Sequence, residues 1–297
     1  MRWRGVFPAI TTPFRPDLSI DFDVLRRQAG WLIEHGCQGI VPLGSLGEGA
    51  TLGFDEKCYV LGACLEAAAG RVPVVAAVAA LATSEAVALA REAAALGCAG
   101  LMVLPPYVYL GDRRETAAHF RAVMGATPLP CMLYNNPIAY RTDVSPQEIA
   151  ELCAVLPNLE AVKESSGDVR RVTAIRALLG NRIAVFIGVD DLVVEGVQAG
   201  AVGWIAGLVD ALPAESVRLF DLAAAGRIEE ARQLYEWFLP LLRLDTVPKF
   251  VQLIKLVQAE VGMGTATVRP PRLELEGEER DAALALIRDC LRRRPRL

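Results

Sequence analysis

Eight short apolar runs rich in β-branched residues recur along the chain, each followed by a segment with helical spacing of apolar residues. This alternation limits the fold more than any other feature. The runs are 6–11, 39–42, 74–78, 100–104, 131–134, 159–162, 184–187 and 202–205. They lack polar alternation, so both faces of each strand are expected to be covered, as in a parallel sheet wrapped by helices. The intervening segments 21–34, 55–69, 84–96, 113–124, 146–156 and 169–179 carry the helical period, and several open on Ser or Asp. Eight such units predict an α/β fold, a (β/α)8 TIM barrel. A doubly wound sheet is disfavoured, because no G-x-G-x-x-G follows the first strand.

After residue 205 the strand signal stops, and helices are predicted over 213–225, 228–244, 247–261 and 278–293, with "LDTVP" and "TATVRPPRLELEG" as breaks. The expected organisation is a barrel over 1–225 and a C-terminal helical extension over 226–297. A chain of 297 residues with 53% hydrophobic content can bury so large a core.

Charge and composition narrow the function. The net charge of −4 is mixed along the sequence, without a basic block, so no nucleic-acid partner is expected. The N-terminus reads as a first strand and no apolar stretch is long enough for a membrane span, which predicts a soluble cytoplasmic protein with no membrane partner. Seven scattered cysteines without a C-x-x-C pair read as buried reduced thiols. With only His35 and His119, both read as surface or packing residues, a three-histidine metal site is impossible and no metal is expected. Asp190 and Asp191, at a loop-to-helix junction, read as helix caps before they read as magnesium ligands.

In a (β/α)8 barrel the chemistry lies at the C-terminal ends of the strands. There the sequence places "PLGSLGEGATL", "LPPYVY", "LYNNP", "VKESSG" and "IGVDD". Lys163 is conspicuous: of 31 basic residues only Lys57, Lys163, Lys249 and Lys255 are lysines, so an incidental cation here would have been arginine. An amine in an apolar barrel mouth loses hydration, which favours the neutral form that attacks carbonyls. The competing reading pairs Lys163 with Glu48 or Glu164. Tyr134 ends the adjacent strand, where its phenol could relay protons to and from the amine. Ser45 lies in a glycine-rich turn, and the amides of Ser45 and Leu46 could bind a carboxylate.

These motifs, "PAITTPF", "GSLGE", "LPPY", "YNNP" and "VKESSGD", taken in order, resemble the dihydrodipicolinate synthase and N-acetylneuraminate lyase superfamily over essentially the whole chain. The resemblance implies an enzyme in which Lys163 forms an imine with a 2-oxo acid, Tyr134 and Ser45 move protons, and Tyr107 contributes from a neighbouring subunit of a homotetramer. It implies neither a metal nor an organic cofactor. Leu46 stands where the synthase has the second threonine of G-T-T-G-E, which is expected to break a hydroxyl-to-tyrosine relay. Val108 stands where the synthase has a second tyrosine, and Arg141 follows "YNNP" later than the synthase's carboxylate-binding arginine does.

"YNNPIAY", "DVRRVTAIR", "YEWFLPLLRLD" and "GTATVRPPRLELEGEER" resemble a branch of hydroxyproline catabolism, the pyrroline-4-hydroxy-2-carboxylate deaminases. The expected activity is a lysine Schiff-base lyase, a deaminating hydrolase that converts this cyclic imine to 2-oxoglutarate semialdehyde and ammonia. The alternatives are 4-hydroxy-tetrahydrodipicolinate synthase, another 2-oxo acid aldolase or dehydratase of the superfamily, or a catalytically silent barrel used for binding. Expected substrate contacts are Leu46, Tyr107, Asn136, Gly188 and Ile205.

Overall fold

The computed structural model describes residues 1–296. Seven parallel strands form one curled sheet: β1 (Gly5–Pro8), β2 (Val75–Val78), β3 (Gly100–Val103), β4 (Cys131–Asn135), β5 (Leu159–Glu164), β6 (Ala184–Ile187) and β7 (Gly203–Ala206), in the order β1-β7-β6-β5-β4-β3-β2. Twelve helices accompany them: α1 (Phe22–Glu34), α2 (Phe54–Ala68), α3 (Thr83–Leu96), α4 (Arg113–Met124), α5 (Pro137–Tyr140), α6 (Pro146–Val155), α7 (Arg170–Leu179), α8 (Val193–Gln198), α9 (Pro213–Ala224), α10 (Ile228–Leu242), α11 (Phe250–Glu260) and α12 (Gly277–Arg292).

The run at 39–42, expected as a full strand, closes the barrel without becoming one. Gln38 N and Val41 N donate to Val6 O and Pro8 O of β1, each at 2.9 Å, while Ile40 pairs with Val74 on the other side. Val75 N and Ala77 N then donate to Ile40 O and Pro42 O at 2.8 and 3.0 Å. Prolines 8, 42 and 73 lack the amide donors that would lengthen the ladder. The first strand likewise ends at Pro8, short of the predicted Thr11.

Strand residues are buried almost throughout, as two-sided coverage requires. Local chemistry fixes several helix starts. Asp21 accepts from Val24 N, and Asp112 and Ser145 form capping boxes with Glu115 and Glu148. Among the described residues no helix is long and apolar enough to cross a membrane.

The C-terminal helices reach back to the strand ends. Lys255 of α11 is 1% exposed and donates to Glu48 Oε1 at 2.5 Å and to the carbonyls of Thr12 and Thr267 at 2.8 Å each. Arg269 N donates to the other Glu48 oxygen at 3.0 Å, and its guanidinium grips Glu56 at 2.8 and 2.9 Å. Glu48 takes a left-handed conformation, φ 53°, in the "GSLGEG" turn, so this buried pair ties the turn carrying Ser45 to the tail.

Candidate active site

One cavity of about 460 Å³ opens at the C-terminal ends of the strands. Its lining contains all eight residues expected there: Ser45, Leu46, Tyr107, Tyr134, Asn136, Lys163, Gly188 and Ile205. The sheet register places the central pair. Tyr134 on β4 lies directly opposite Lys163 on β5, so both side chains leave the sheet on the same face. Lys163 Nζ lies 4.2 Å from the centroid of the Tyr134 ring.

Lys163 is 6% exposed, and its amine has no hydrogen-bond or ion-pair partner among the described residues. Pairing with Glu48 or Glu164 is ruled out by what those acids do instead: Glu48 is taken by Lys255, and Glu164 is 3.2 Å from Arg171 Nε and also accepts from Asn135. Gly188, at the end of β6, makes the space for the amine. A Cβ there would lie 2.4 Å from Lys163 Cε and 2.0 Å from Ser165 Oγ. Ser165 is itself 1% exposed, and its hydroxyl, beside the cavity, has no partner among the described residues.

A hydroxyl cluster forms the opposite wall. Ser45 Oγ hydrogen-bonds the Tyr140 hydroxyl, whose ring packs 5.3 Å from Tyr107 and 5.8 Å from Tyr134, centroid to centroid. Leu46 offers no hydroxyl at its position, and the contact of Ser45 is with Tyr140, either hydroxyl being able to donate. Burial, with Tyr134 and Tyr107 adding to it, holds the Tyr140 phenol well above its usual range, and burial raises Tyr107 too. Both phenols stay protonated at neutral pH and can pass protons only as neutral donors. Asn136 Nδ2 donates to the Tyr134 hydroxyl at 3.0 Å, while its own Oδ1 accepts from Ala139 N, so it orients Tyr134.

Three more side chains take definite positions. Tyr107 lines the cavity of its own chain: Val108 turns left-handed, φ 70°, facing solvent at 86% exposure while Tyr107 points inward. Arg141 lines a separate outer cleft with Arg113 and Glu148; the arginine at the cavity is Arg272, from the tail. Asp190, read as a cap, does not cap the helical segment that follows it. It accepts from Trp204 Nε1, Gly207 N and Leu208 N at 2.8–3.1 Å and so joins the ends of β6 and β7. Burial nevertheless pushes its carboxyl up to about 6.

His119 is buried against Thr83, and His35 bonds the carbonyl of Trp31, so neither approaches the cavity. Tyr140, Ser165, Asp245 and Arg272 line the cavity unforeseen. Tyr140 follows "YNNP" by so few residues that it could have been suspected, whereas "LDTVP" reads only as a break between helices.

Fold and cavity define a (β/α)8-barrel enzyme with its polar groups gathered at the strand ends. Residues 2–289 match the Dihydrodipicolinate synthetase family. A 4-hydroxy-tetrahydrodipicolinate synthase of Anaplasma marginale (strain St. Maries) is 34% identical over 275 residues, 93% of this chain and 91% of the relative. One of Methanothrix thermoacetophila is 34% identical over 293 residues, 97% and 96% of the two chains. The crystal structure of dihydrodipicolinate synthase from Aquifex aeolicus matches with a TM-score of 0.92 at 27% identity, covering 97% of this chain and 98% of that one. The chain belongs to the dihydrodipicolinate synthetase family and is a lyase of that family.

Proposed function

We propose that Lys163 forms an imine with a small 2-oxo acid or its cyclic imine, and that the substrate is Δ1-pyrroline-4-hydroxy-2-carboxylate. The observation that carries the imine is the buried, unpaired Lys163 amine against the Tyr134 ring in a cavity sized for a small molecule. Attack of the amine on C2 and transimination open the ring to a lysine-bound imine with a free amine at C5. The imine acidifies the C3 proton, which Tyr134 or a nearby water accepts, and the C4 hydroxyl leaves as water. Tautomerisation places a new imine at C5. Its hydrolysis releases ammonia, and hydrolysis of the lysine imine releases 2-oxoglutarate semialdehyde, for a net uptake of one water.

The amides of Ser45 and Leu46, which meet no protein acceptor among the described residues, and the Ser165 hydroxyl are the donors offered to the substrate carboxylate. A second reading, 4-hydroxy-tetrahydrodipicolinate synthase, is favoured by the names of the relatives. Leu46, Val108 and the position of Arg141 count against the synthase. A homotetramer fits the exposed apolar groups Phe54, Leu81, Val108, Tyr109 and Leu110, and light scattering of the purified protein tests it.

The deciding experiment is borohydride trapping with the hydroxylated pyrroline carboxylate, followed by peptide mapping and ammonia measurement. An adduct on Lys163 with ammonia release supports the deaminase. An adduct only with pyruvate, and condensation with aspartate semialdehyde, supports the synthase. Normal turnover by Lys163→Ala refutes both.

A further inference from the structure

Asp245 is a cavity-lining acid that the chemistry above leaves unused. It ends the short turn Arg243–Asp245 after α10, outside the strands, yet its carboxyl lines the same cavity as Lys163 and Tyr134. The acids around it are engaged. Asp190 accepts its three N–H donors, Asp210 accepts from Thr11 N at 2.9 Å, and Asp191 lies 3.4 Å from Arg243. Asp245 alone has no hydrogen bond to a protein group among the described residues. Gly207, at the end of β7, is shaped for it: a Cβ there would lie 2.1 Å from Asp245 Oδ1. The carboxyl therefore rests against bare backbone with its polar edge left for a ligand.

We propose that Asp245 is the general acid of this site, donating its proton to the hydroxyl that leaves from the carbon β to the lysine imine. The proposal rests on the imine reading of Lys163. As the C3 proton departs, its bonding pair forms the C3–C4 double bond. The C4–O bond breaks toward oxygen, and the Asp245 proton joins that oxygen to release water. Asp245 is left as a carboxylate, reprotonated from solvent before the next turnover. The surroundings suit the role. Burial comes first, and the negative charges of Asp190, Asp210 and Asp191 add to it, so the carboxyl is held well above the usual range against the pull of Lys163. A protonated carboxyl can donate, whereas an ionised one cannot.

The test uses the full-length enzyme, wild type and Asp245→Asn, with the hydroxylated pyrroline carboxylate and borohydride, pyruvate trapping serving as the check that the site is assembled. The wild-type adduct on Lys163 is expected to have lost the hydroxyl, and the Asp245→Asn adduct to retain it and weigh one water more. Turnover by the variant falls by about 10² to 10⁴, the range of general acid catalysis. Asp245→Ala should recover activity with added acetate, which a merely structural role would not allow, and it carries the test if Asp245→Asn does not fold. A hydroxyl-free adduct formed by Asp245→Asn at the wild-type rate, or no acetate rescue of Asp245→Ala, overturns the assignment of Asp245 alone. No Lys163 adduct in the wild type overturns the imine reading and this proposal with it.

Discussion

Replacing Lys255 by methionine removes the cation from a pair in which Lys255 is 1% and Glu48 0% exposed. Three short donations from Nζ are lost together, to Glu48 Oε1, Thr12 O and Thr267 O. The stranded Glu48 keeps only the Arg269 amide at 3.0 Å and the Arg272 guanidinium at 3.8 Å. Breaking one side of a buried pair costs about 3–5 kcal/mol, and the two remaining partners of Glu48 argue for the lower half of that range. For 297 residues the unfolding entropy is about 0.6 kcal/mol/K, so a loss of about 3.5 kcal/mol lowers the melting temperature by about 6 °C. Guanidinium unfolding followed by tryptophan fluorescence reads the same loss at fixed temperature. Adding Glu48→Gln to the methionine variant removes the stranded charge and should recover part of it. A loss under about 1 kcal/mol, or no recovery in the double variant, would show that the pair does not anchor the Ser45 turn as described.

Tyr134→Phe and Tyr140→Phe should each lower kcat by about 10² or more with the fold intact; wild-type rates in Tyr140→Phe would remove the Ser45–Tyr140 contact from the mechanism. Gly188→Ala drives a Cβ into Lys163 Cε and Ser165 Oγ, 2.4 and 2.0 Å away, so pyruvate trapping on Lys163 should fall sharply. Unchanged trapping efficiency would mean that the lysine has room the geometry denies. Burial raises the thiols of Cys64, Cys98 and Cys131 from 9.0 to about 12. A raised thiol pKa means less thiolate at any given pH, so at pH 9 these three hold about one-thousandth in the reactive form where a free thiol holds half. Partly exposed Cys58 should therefore be alkylated first in the native protein; rapid labelling of the other three would contradict their burial.

Local pattern was enough for the barrel because each strand and helix carries its own period. Apolar runs without polar alternation require a covered parallel sheet wherever their neighbours lie. It also exposed Lys163, Tyr134 and Ser45, since in this architecture strand ends converge and a residue's place along the chain fixes its place at the mouth. Sequence alone missed that the run at 39–42 closes the barrel as a proline-limited ladder, because proline's missing donors matter only once both partners are beside it. Nor could it place Tyr140 against Ser45, 95 positions apart, or turn Arg272 inward and Arg141 outward. Asp245 sits in the turn after α10 and Lys255 in α11, in a tail whose amphipathic pattern specifies only that its helices pack. Which polar groups they bring to the strand ends is decided by the docking of the tail, where a buried charge is tolerated only beside its partner.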